Sequence, residues 1–304
     1  MLCWLRVMDD TSHGFDPRLT PARPDLAAAH LRGKVQAAQF VEGEVRQVIE
    51  SQAPVRRAPS PDAPLDTEAL KGERVTVYES TEEGWAWSQI EDGYVGWLPA
   101  NALVPPGPAP THKVTALRTL VFPGPSIKLP PIETLSLGAR LAVLRTDAPF
   151  AVTSTGGYVP VVHLAAVAST EPDFVAVAER FVGVPYLWGG KTSLGLDCSG
   201  LVQVALSAAG IACPRDSDMQ ERSLGNAIDP GDVENLHRGD LLFWPGHVGI
   251  MRDRHRLLHA NAFHMAVAVE PLPDALGRIR ASGSELRNVR RLIALPRPQA
   301  PSPD

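Results

Sequence analysis

The sequence predicts an α+β protein in which two small β modules precede a domain of helices packed on an antiparallel sheet. Short, β-rich runs separated by turn signals fill residues 44–168, and helical spacing followed by strand-like runs fills residues 171–297. The proline-rich stretch VPPGPAPTH, residues 104–112, is typical of a stiff extended linker. A length of 304 residues favours two or more domains.

The N-terminal extension, residues 1–43, is predicted to be partly helical in the segment DLAAAHLRG. The start of the chain, MLCWLRVMDD, lacks the basic start, longer apolar core and cleavage site of an export signal. We therefore expect a cytoplasmic protein that begins at Met1 or Met8. No apolar run approaches the ~20 residues that span a bilayer, so no membrane contact is expected.

The two β modules are predicted to be a duplicated small barrel, over residues 44–106 and 113–168. Each module ends in Gly-Tyr-Val followed by an apolar segment, and the triplets start at Gly93 and Gly157. A repeat of this kind indicates duplication, although two unrelated β modules remain the alternative.

The last domain, residues 171–297, begins with helical spacing in EPDFVAVAERFV. CSGLVQVALSAAG is apolar on nearly all sides and ends at Gly210, which predicts a buried helix. Strand-like runs follow at 240–244, 247–251, 257–262, 265–272 and 289–295. The end of the chain, residues 298–304, is predicted to be disordered.

Composition excludes several classes of partner and site. The net charge of −5 and pI near 6.0 leave no basic stripe for nucleic acid. Cys3, Cys198 and Cys213 are too far apart for a disulfide framework or a paired zinc site, and they fit a reducing compartment. We expect no cofactor and see no sign of an obligatory protein partner.

Cys198 is the candidate nucleophile because it opens the buried helix, with Asp197 as a plausible cap. Unpaired N–H groups at a helix start stabilise a thiolate, which is the reactive form of cysteine. The alternative is a small buried core residue.

His247 is the candidate base, at the start of the strand HVGIM. A hairpin centred near Asp253 would place His247 directly opposite His259, so that one imidazole orients the other. A register shift of two residues would bring Asn261 into that position instead. A metal site from His255, His259 and His264 is conceivable, but the loop and strand geometry gives no common focus, and no metal is expected.

Four segments resemble, in order, the motifs of the NlpC-type cell-wall peptidases, a family of papain-like cysteine enzymes: VPYLWGGKTSLGLDCSGLVQ, PRDSDMQ, RGDLLFWPGHVGIM and LLHANA. The resemblance covers about residues 171–296 and implies a papain-like catalytic domain. The whole chain is similar to the subgroup with two bacterial SH3-like barrels ahead of that domain, the γ-D-glutamyl-L-diamino-acid endopeptidases.

The resemblance implies four catalytic residues: Cys198 as nucleophile, His247 as base, His259 as its orienting partner, and Tyr186 near the oxyanion. It also implies a set of substrate-binding residues: Asp197, Ser199, Trp188, Arg215, Asp216, Ser217 and, from the first barrel, Tyr94. The simpler alternatives are a helix cap for Asp197, a solvated turn for RDSD and a barrel core aromatic for Tyr94. The acid that the subgroup's first barrel supplies has no clear match here.

The implied activity is hydrolysis of the bond between D-glutamate and the diamino acid of murein stem peptides with a free N-terminal L-Ala. The products would include L-Ala-D-Glu, and an unexported enzyme would serve murein peptide recycling. The diamino acid, meso-diaminopimelate or lysine, stays open. The alternatives are an amidase or acyltransferase on the same thioester chemistry, or a peptidoglycan-binding module without catalysis.

Overall fold

The computed structural model describes residues 14–231 and 233–292, which form two compact units divided between Ala109 and Pro110. This boundary falls inside the proline-rich segment 104–112. The predicted disordered tail lies outside the described residues.

The first unit is built around an antiparallel sheet of seven strands, in the order β5-β4-β8-β7-β6-β3-β9. In β6, Val75 and Val77 are buried and alternate with more exposed residues, the period of two expected for a strand with one face in the core. The strands of this unit are β1 Leu26–Ala28, β2 Gln39–Val41, β3 Glu44–Val48, β4 Gln52–Arg56, β5 Leu65–Leu70, β6 Arg74–Ser80, β7 Trp85–Ile90, β8 Val95–Pro99 and β9 Leu103–Val104.

The helix predicted in DLAAAHLRG is wrong. Leu26–Ala28 is a strand that pairs in parallel with β2, and a single 3₁₀ turn, Ala29–Leu31, follows it. All three strand residues are buried. Burial of consecutive residues suits a strand covered on both faces better than a surface helix, so packing overrides the helix propensity of the alanines.

The second unit begins with eight short strands in three small antiparallel sheets, β13-β10-β17, β11-β12 and β14-β15-β16. Val114, Val121, Leu135 and Val159 lie in a core of their own. The assignment of this segment as a second SH3-like barrel stays a prediction. Its strands are β10 His112–Val114, β11 Arg118–Val121, β12 Glu133–Ser136, β13 Arg140–Leu141, β14 Val143–Asp147, β15 Phe150–Thr153, β16 Tyr158–Pro160 and β17 Leu164–Ala166.

The rest of the second unit combines helices with a six-stranded antiparallel sheet, in the order β20-β25-β21-β22-β23-β24. Its helices are α1 Phe174–Glu179, α2 Cys198–Ala208, α3 Ser217–Ser223 and α4 Leu272–Ala281. Its strands are β18 Lys191–Thr192, β19 Gly195–Leu196, β20 Asn226–Ile228, β21 Leu241–Trp244, β22 His247–Met251, β23 Arg256–Asn261, β24 Ala266–Pro271 and β25 Asn288–Arg291.

The six-stranded sheet is buried on both faces. Leu241 and Phe243 pack towards α1 and α2, whereas Leu242 and Trp244 pack towards α4. Helix α2 is buried along nearly its whole length, as the sequence predicts, so its first residue is fixed against the sheet. Within residues 14–231 and 233–292, no helix is long and apolar enough to cross a membrane.

Candidate active site

Cys198 is the first residue of α2 and is almost completely buried. Asp197 is the N-cap: its Oδ1 accepts from the Gly200 N–H at 2.7 Å, and its Oδ2 accepts from the Gly189 N–H at 2.8 Å. Burial, followed by the charge of Asp197, raises the pKa of the Cys198 thiol, while the backbone N–H groups of Val248 and Ser199 act to lower it. The sulfur therefore rests as a thiol that faces preformed donors for its anionic form.

Arg215 neutralises the aspartate beside the thiol. Its guanidinium is 1% exposed and donates to both carboxylate oxygens of Asp197, at 2.9 and 2.7 Å. It also donates to the Ser199 hydroxyl at 2.9 Å and to the Gly190 carbonyl at 3.2 Å. Asp197, Ser199 and Arg215 thus form a buried network that holds the first turn of α2.

Close packing of glycines places this turn against the preceding loop. A Cβ on Gly200 would lie 2.3 Å from the Gly190 carbonyl oxygen, a separation that real side chains do not reach. Position 200, two residues after Cys198, therefore has room only for glycine.

Two histidines face each other on the neighbouring strands. The Nε2 of His247, the first residue of β22, lies 2.8 Å from Nδ1 of His259 on β23. Burial lowers the pKa of both imidazoles, so both are neutral at neutral pH and His247 is available as a base.

The strand register differs from the prediction. Ile250 pairs with Leu258, and Met251 pairs with Leu257, so the hairpin is centred on Arg254 rather than near Asp253. The carboxylate of Asp253 caps the turn by accepting from two backbone N–H groups, which fixes this register.

In the observed register His247 is diagonal to His259 and would be level with Asn261. Asn261 nevertheless turns away, because its Oδ1 accepts from the His264 backbone N–H at 2.9 Å. The imidazole of His259 reaches His247 along the diagonal, a distance that large side chains span.

Glu270 and Arg278 complete the arrangement, and the sequence analysis missed both. Oε1 of Glu270 lies 2.7 Å from Nε2 of His259, and the Arg278 guanidinium donates to the same oxygen. The detectable signal was a lone acid inside the apolar strand MAVAVEPL.

A metal is a possible alternative occupant of this cluster. His259, His264 and Glu270 offer ligand atoms within 4.8 Å of one another. His255, the third histidine of the metal site considered from the sequence, is exposed and is not part of this cluster. Glu270 already holds the guanidinium of Arg278, whose positive charge opposes a cation at the same oxygen. The geometry favours a hydrogen-bonded relay.

Tyr186 lies close to the nucleophile. Burial, followed by the charge of Cys198, raises the pKa of the Tyr186 hydroxyl, which therefore stays protonated and able to donate. Trp188, on the loop after it, is 63% exposed. An exposed indole two residues after Tyr186 suits contact with a ligand.

The remaining candidates lie at the start of α3 and in the first unit. Asp216 is the partly exposed N-cap position of α3, and Ser217 is its first residue, also partly exposed. Tyr94 is buried in the first unit and lines a pocket of about 290 Å³ together with Trp87 and Asp66. Asp66 forms an ion pair with Arg57.

The first β segment of the second unit braces the loop that leads to Cys198. Arg118 donates to the Ser193 carbonyl at 2.8 Å, and the hydroxyls of Ser136 and Ser193 lie 2.9 Å apart. Ser193 connects β18 to β19, which ends immediately before the N-cap of α2. No sequence motif indicated this contact.

Comparison with known proteins gives two matching family models. Residues 55–103 match the bacterial dipeptidyl-peptidase Sh3 domain, and residues 183–276 match the NlpC/P60 family.

Curated relatives match over most of the chain. A gamma-D-glutamyl-L-lysine dipeptidyl-peptidase of Bacillus cereus is 28% identical, over 68% of this chain and 71% of its own. Dipeptidyl-peptidase 6 of Lysinibacillus sphaericus is 28% identical, over 75% of this chain and 91% of its own.

Among solved structures, an NlpC/P60 family protein from Bacillus cereus aligns with a TM-score of 0.68 and 24% identity. The alignment covers 82% of this chain and 99% of that protein. The two proteins share a fold.

Proposed function

The chain carries an NlpC/P60 peptidase domain and a bacterial SH3 domain, and from this premise we propose that it is a cysteine endopeptidase acting on murein stem peptides. It hydrolyses the bond between the γ-carboxyl of D-glutamate and the following diamino acid when the N-terminal L-Ala is free. The observation that supports the proposal is the buried Cys198 at a helix start, with its sulfur at the backbone N–H of Val248. Val248 follows His247, which is hydrogen-bonded to His259.

The names of the relatives support the substrate. Two of them are gamma-D-glutamyl-L-lysine dipeptidyl-peptidases, and a third is a dipeptidyl-peptidase 6. A dipeptidyl-peptidase releases two residues from an amino terminus, which corresponds here to L-Ala-D-Glu. Peptides with a free L-Ala are products of wall breakdown, so the activity fits peptide recycling, which we propose takes place in the cytoplasm.

The first half of the reaction forms a thioester. His247 takes the proton of Cys198, and the thiolate attacks the γ-carbonyl carbon of D-glutamate. Backbone N–H groups at the start of α2 and the hydroxyl of Tyr186 donate to the oxyanion. The tetrahedral intermediate collapses, and the imidazolium of His247 gives its proton to the amine of the departing diamino acid.

The second half returns the free enzyme. Neutral His247 removes a proton from water, the hydroxide attacks the thioester carbon, and Cys198 leaves as thiolate and regains the proton. The product is the γ-carboxylic acid. His259 holds the ring of His247 in position throughout.

The substrate-binding roles divide by exposure. We propose that Trp188 contacts the peptide and that Asp216 and Ser217 meet its polar groups, since all three are accessible. We propose that the buried residues Asp197, Ser199 and Arg215 shape the wall of the substrate pocket. The charges of Asp197 and Arg215 are paired with each other. Tyr94 belongs to the proposed set as the contribution of the first barrel.

The experiment is mass spectrometry of the products from L-Ala-γ-D-Glu-meso-diaminopimelate, its L-lysine counterpart and their N-acetylated forms. We expect L-Ala-D-Glu from the free-amine peptides only. Cys198→Ala abolishes release, and Cys213→Ala, which removes the other free cysteine of the described residues, retains it. Equal cleavage of the acetylated peptides refutes the free-amine requirement, and full activity of Cys198→Ala refutes the mechanism.

The same assay separates the alternatives. With an added amine, an acyltransferase yields a new γ-amide, whereas a hydrolase yields the acid. A binding module without catalysis retains the peptide and releases no product.

A further inference from the structure

We propose that Glu270 and Arg278 form a positioning pair that sets the protonated nitrogen of both active-site histidines. Through His259 this pair leaves Nδ1 of His247 unprotonated and ready to receive the thiol proton. The inference deepens the proposed function and relies on its assignment of His247 as the base. It adds a carboxylate and a guanidinium to the four catalytic residues that the sequence motifs indicate.

The geometry follows from the sheet register. Glu270 on β24 is paired with Leu257 on β23, and His259 lies two residues further on the same face. This diagonal brings Oε1 of Glu270 to 2.7 Å from Nε2 of His259, which is 1% exposed. Arg278 reaches the same oxygen from α4.

The donors and acceptors then follow one another along the relay. An arginine only donates, and an ionised carboxylate only accepts, so His259 must present Nε2–H to Glu270. A neutral His259 then has a bare Nδ1, which accepts the Nε2–H of His247 at 2.8 Å. His247 is left with a lone pair on Nδ1.

Arg278 keeps this order by holding Glu270 ionised. Although burial opposes ionisation, hydrogen bonds from His259 and Arg278 lower the pKa of the Glu270 carboxyl. The guanidinium also stacks on the ring of Phe263, 4.4 Å from its centroid, which fixes its plane. The charged or titratable groups facing His259 are thus Glu270, Arg278, His264 and His247.

The pair matters most when His247 becomes an imidazolium. The positive ring then donates to His259. The negative charge of Glu270 at the far end of the relay favours this imidazolium, whereas the positive charge of Arg278 opposes it. The carboxylate therefore favours the state that follows proton transfer. Its loss should lower kcat more than it alters KM.

The test compares Glu270→Leu, which removes the acceptor, with Glu270→Gln, which keeps an acceptor oxygen without the charge. Glu179→Gln is the matched control, since Glu179 also joins two arginines, Arg238 and Arg252, away from the site. We expect kcat of Glu270→Leu to fall about tenfold or more with KM within about twofold. The kcat of Glu270→Gln should lie between those of the wild type and Glu270→Leu, and the kcat of Glu179→Gln should equal that of the wild type.

The second readout is nitrogen NMR of ring-labelled histidine, assigned with His247→Gln and His259→Gln. The wild type should show Nε2–H on both rings and a bare Nδ1 on His259, and Glu270→Leu should lose this bias. A purely structural role would lower thermal stability without changing the protonated nitrogen. If Glu270→Leu does not fold, Glu270→Gln provides the comparison, since its amide can donate as well as accept and no longer forces His259 to donate from Nε2.

The proposal is overturned if wild-type His259 carries its proton on Nδ1, or if folded Glu270→Leu retains the wild-type kcat. The NMR readout needs no substrate. A wild type that shows the predicted nitrogens but cleaves no murein peptide therefore refutes the proposed function and leaves the positioning pair intact.

Discussion

The groups around the sulfur of Cys198 have opposite effects on its ionisation. Burial and the nearby Asp197 disfavour the thiolate, whereas the backbone N–H groups of Ser199 and Val248 favour it. Arg215 cancels most of the aspartate's charge through two short hydrogen bonds. Removal of Arg215 would leave a buried uncompensated carboxylate beside the nucleophile, which is a costly state.

We predict that Arg215→Met abolishes activity while Asp216→Ala, at the next position, retains part of it. Arg215 is buried and bonded to Asp197 and Ser199, but Asp216 is partly exposed. Loss of the guanidinium should destabilise the second unit by about 3–5 kcal/mol. Urea unfolding and kcat/KM of both variants provide the measurement, and a stable, active Arg215→Met contradicts the account.

The close packing around Gly200 predicts the effect of adding a methyl group at this position. The added methyl group of Gly200→Ala would lie against the Gly190 carbonyl oxygen, so we expect a loss of about 1–3 kcal/mol and of most activity. Gly277→Ala in α4 is the control, because no atom lies within 4 Å of its added Cβ. That variant should be as stable as the wild type or gain about 0.5–1 kcal/mol. Thermal unfolding distinguishes the two, and equal effects would contradict the packing argument.

At the scale of elements, the chain brings its chemistry together from one helix start, two adjacent strands and a braced loop. The loop at residues 191–196 is held by Arg118 and Ser136 from the first β segment of the same unit. These contacts fix the segment that leads into the N-cap of α2. The first β segment of the second unit thus has a structural function in the site.

We predict that Arg118→Ala lowers kcat severalfold, on the order of 3–10-fold, because the loop before Cys198 gains freedom. Arg145→Ala is the matched control in the same β segment, since Arg145 is exposed and contacts Asp147 and Tyr158 rather than the loop before Cys198. Steady-state kinetics provide the measurement. A wild-type kcat for Arg118→Ala would contradict the bracing function.

The sequence predicted α2 and five of the six strands of the large sheet, β21 to β25, because each has a clear hydrophobic period and glycine or polar boundaries, but it did not predict β20. It did not predict α3 and α4, which are 7 and 10 residues long. The hairpin register was wrong by one residue at its centre, because the Asp253 turn that fixes it depends on backbone geometry. The contact between His247 and His259 therefore occurs diagonally.

For the molecule as a whole, the sequence motifs indicated the two domains that the family models match. They did not indicate contacts between residues far apart in the chain. Glu270 was missed because its partner His259 is 11 residues away and the pairing depends on the strand register. The helix predicted near Leu26 failed because tertiary burial of consecutive residues decided the conformation.

The buried histidines predict an acid-sensitive fold. The pKa values of His247 and His259 are lowered below 6.5, that of His247 to about 3. Below pH 6.5 the unfolded chain therefore binds protons that the folded chain does not bind. Stability is therefore complete above about pH 6.5 and falls as the pH drops, by up to about 1.4 kcal/mol per histidine and pH unit.

The measurement for this prediction is urea unfolding between pH 6.5 and pH 5, above the range in which Glu270 titrates. His259→Gln should flatten the dependence, and His255→Gln, at an exposed turn position, should leave it unchanged. A slope that is the same in all three proteins would show that the buried pair does not control acid stability.

If Cys198 is the nucleophile, its sulfur forms a γ-glutamyl thioester, and intact-protein mass spectrometry of the acid-quenched reaction with L-Ala-γ-D-Glu-meso-diaminopimelate detects it. We predict an adduct with the mass of the L-Ala-γ-D-Glu acyl group, mapped to Cys198 after digestion and absent from Cys198→Ala. An adduct on any other residue, or release of L-Ala-D-Glu by Cys198→Ala at the wild-type rate, would contradict the account.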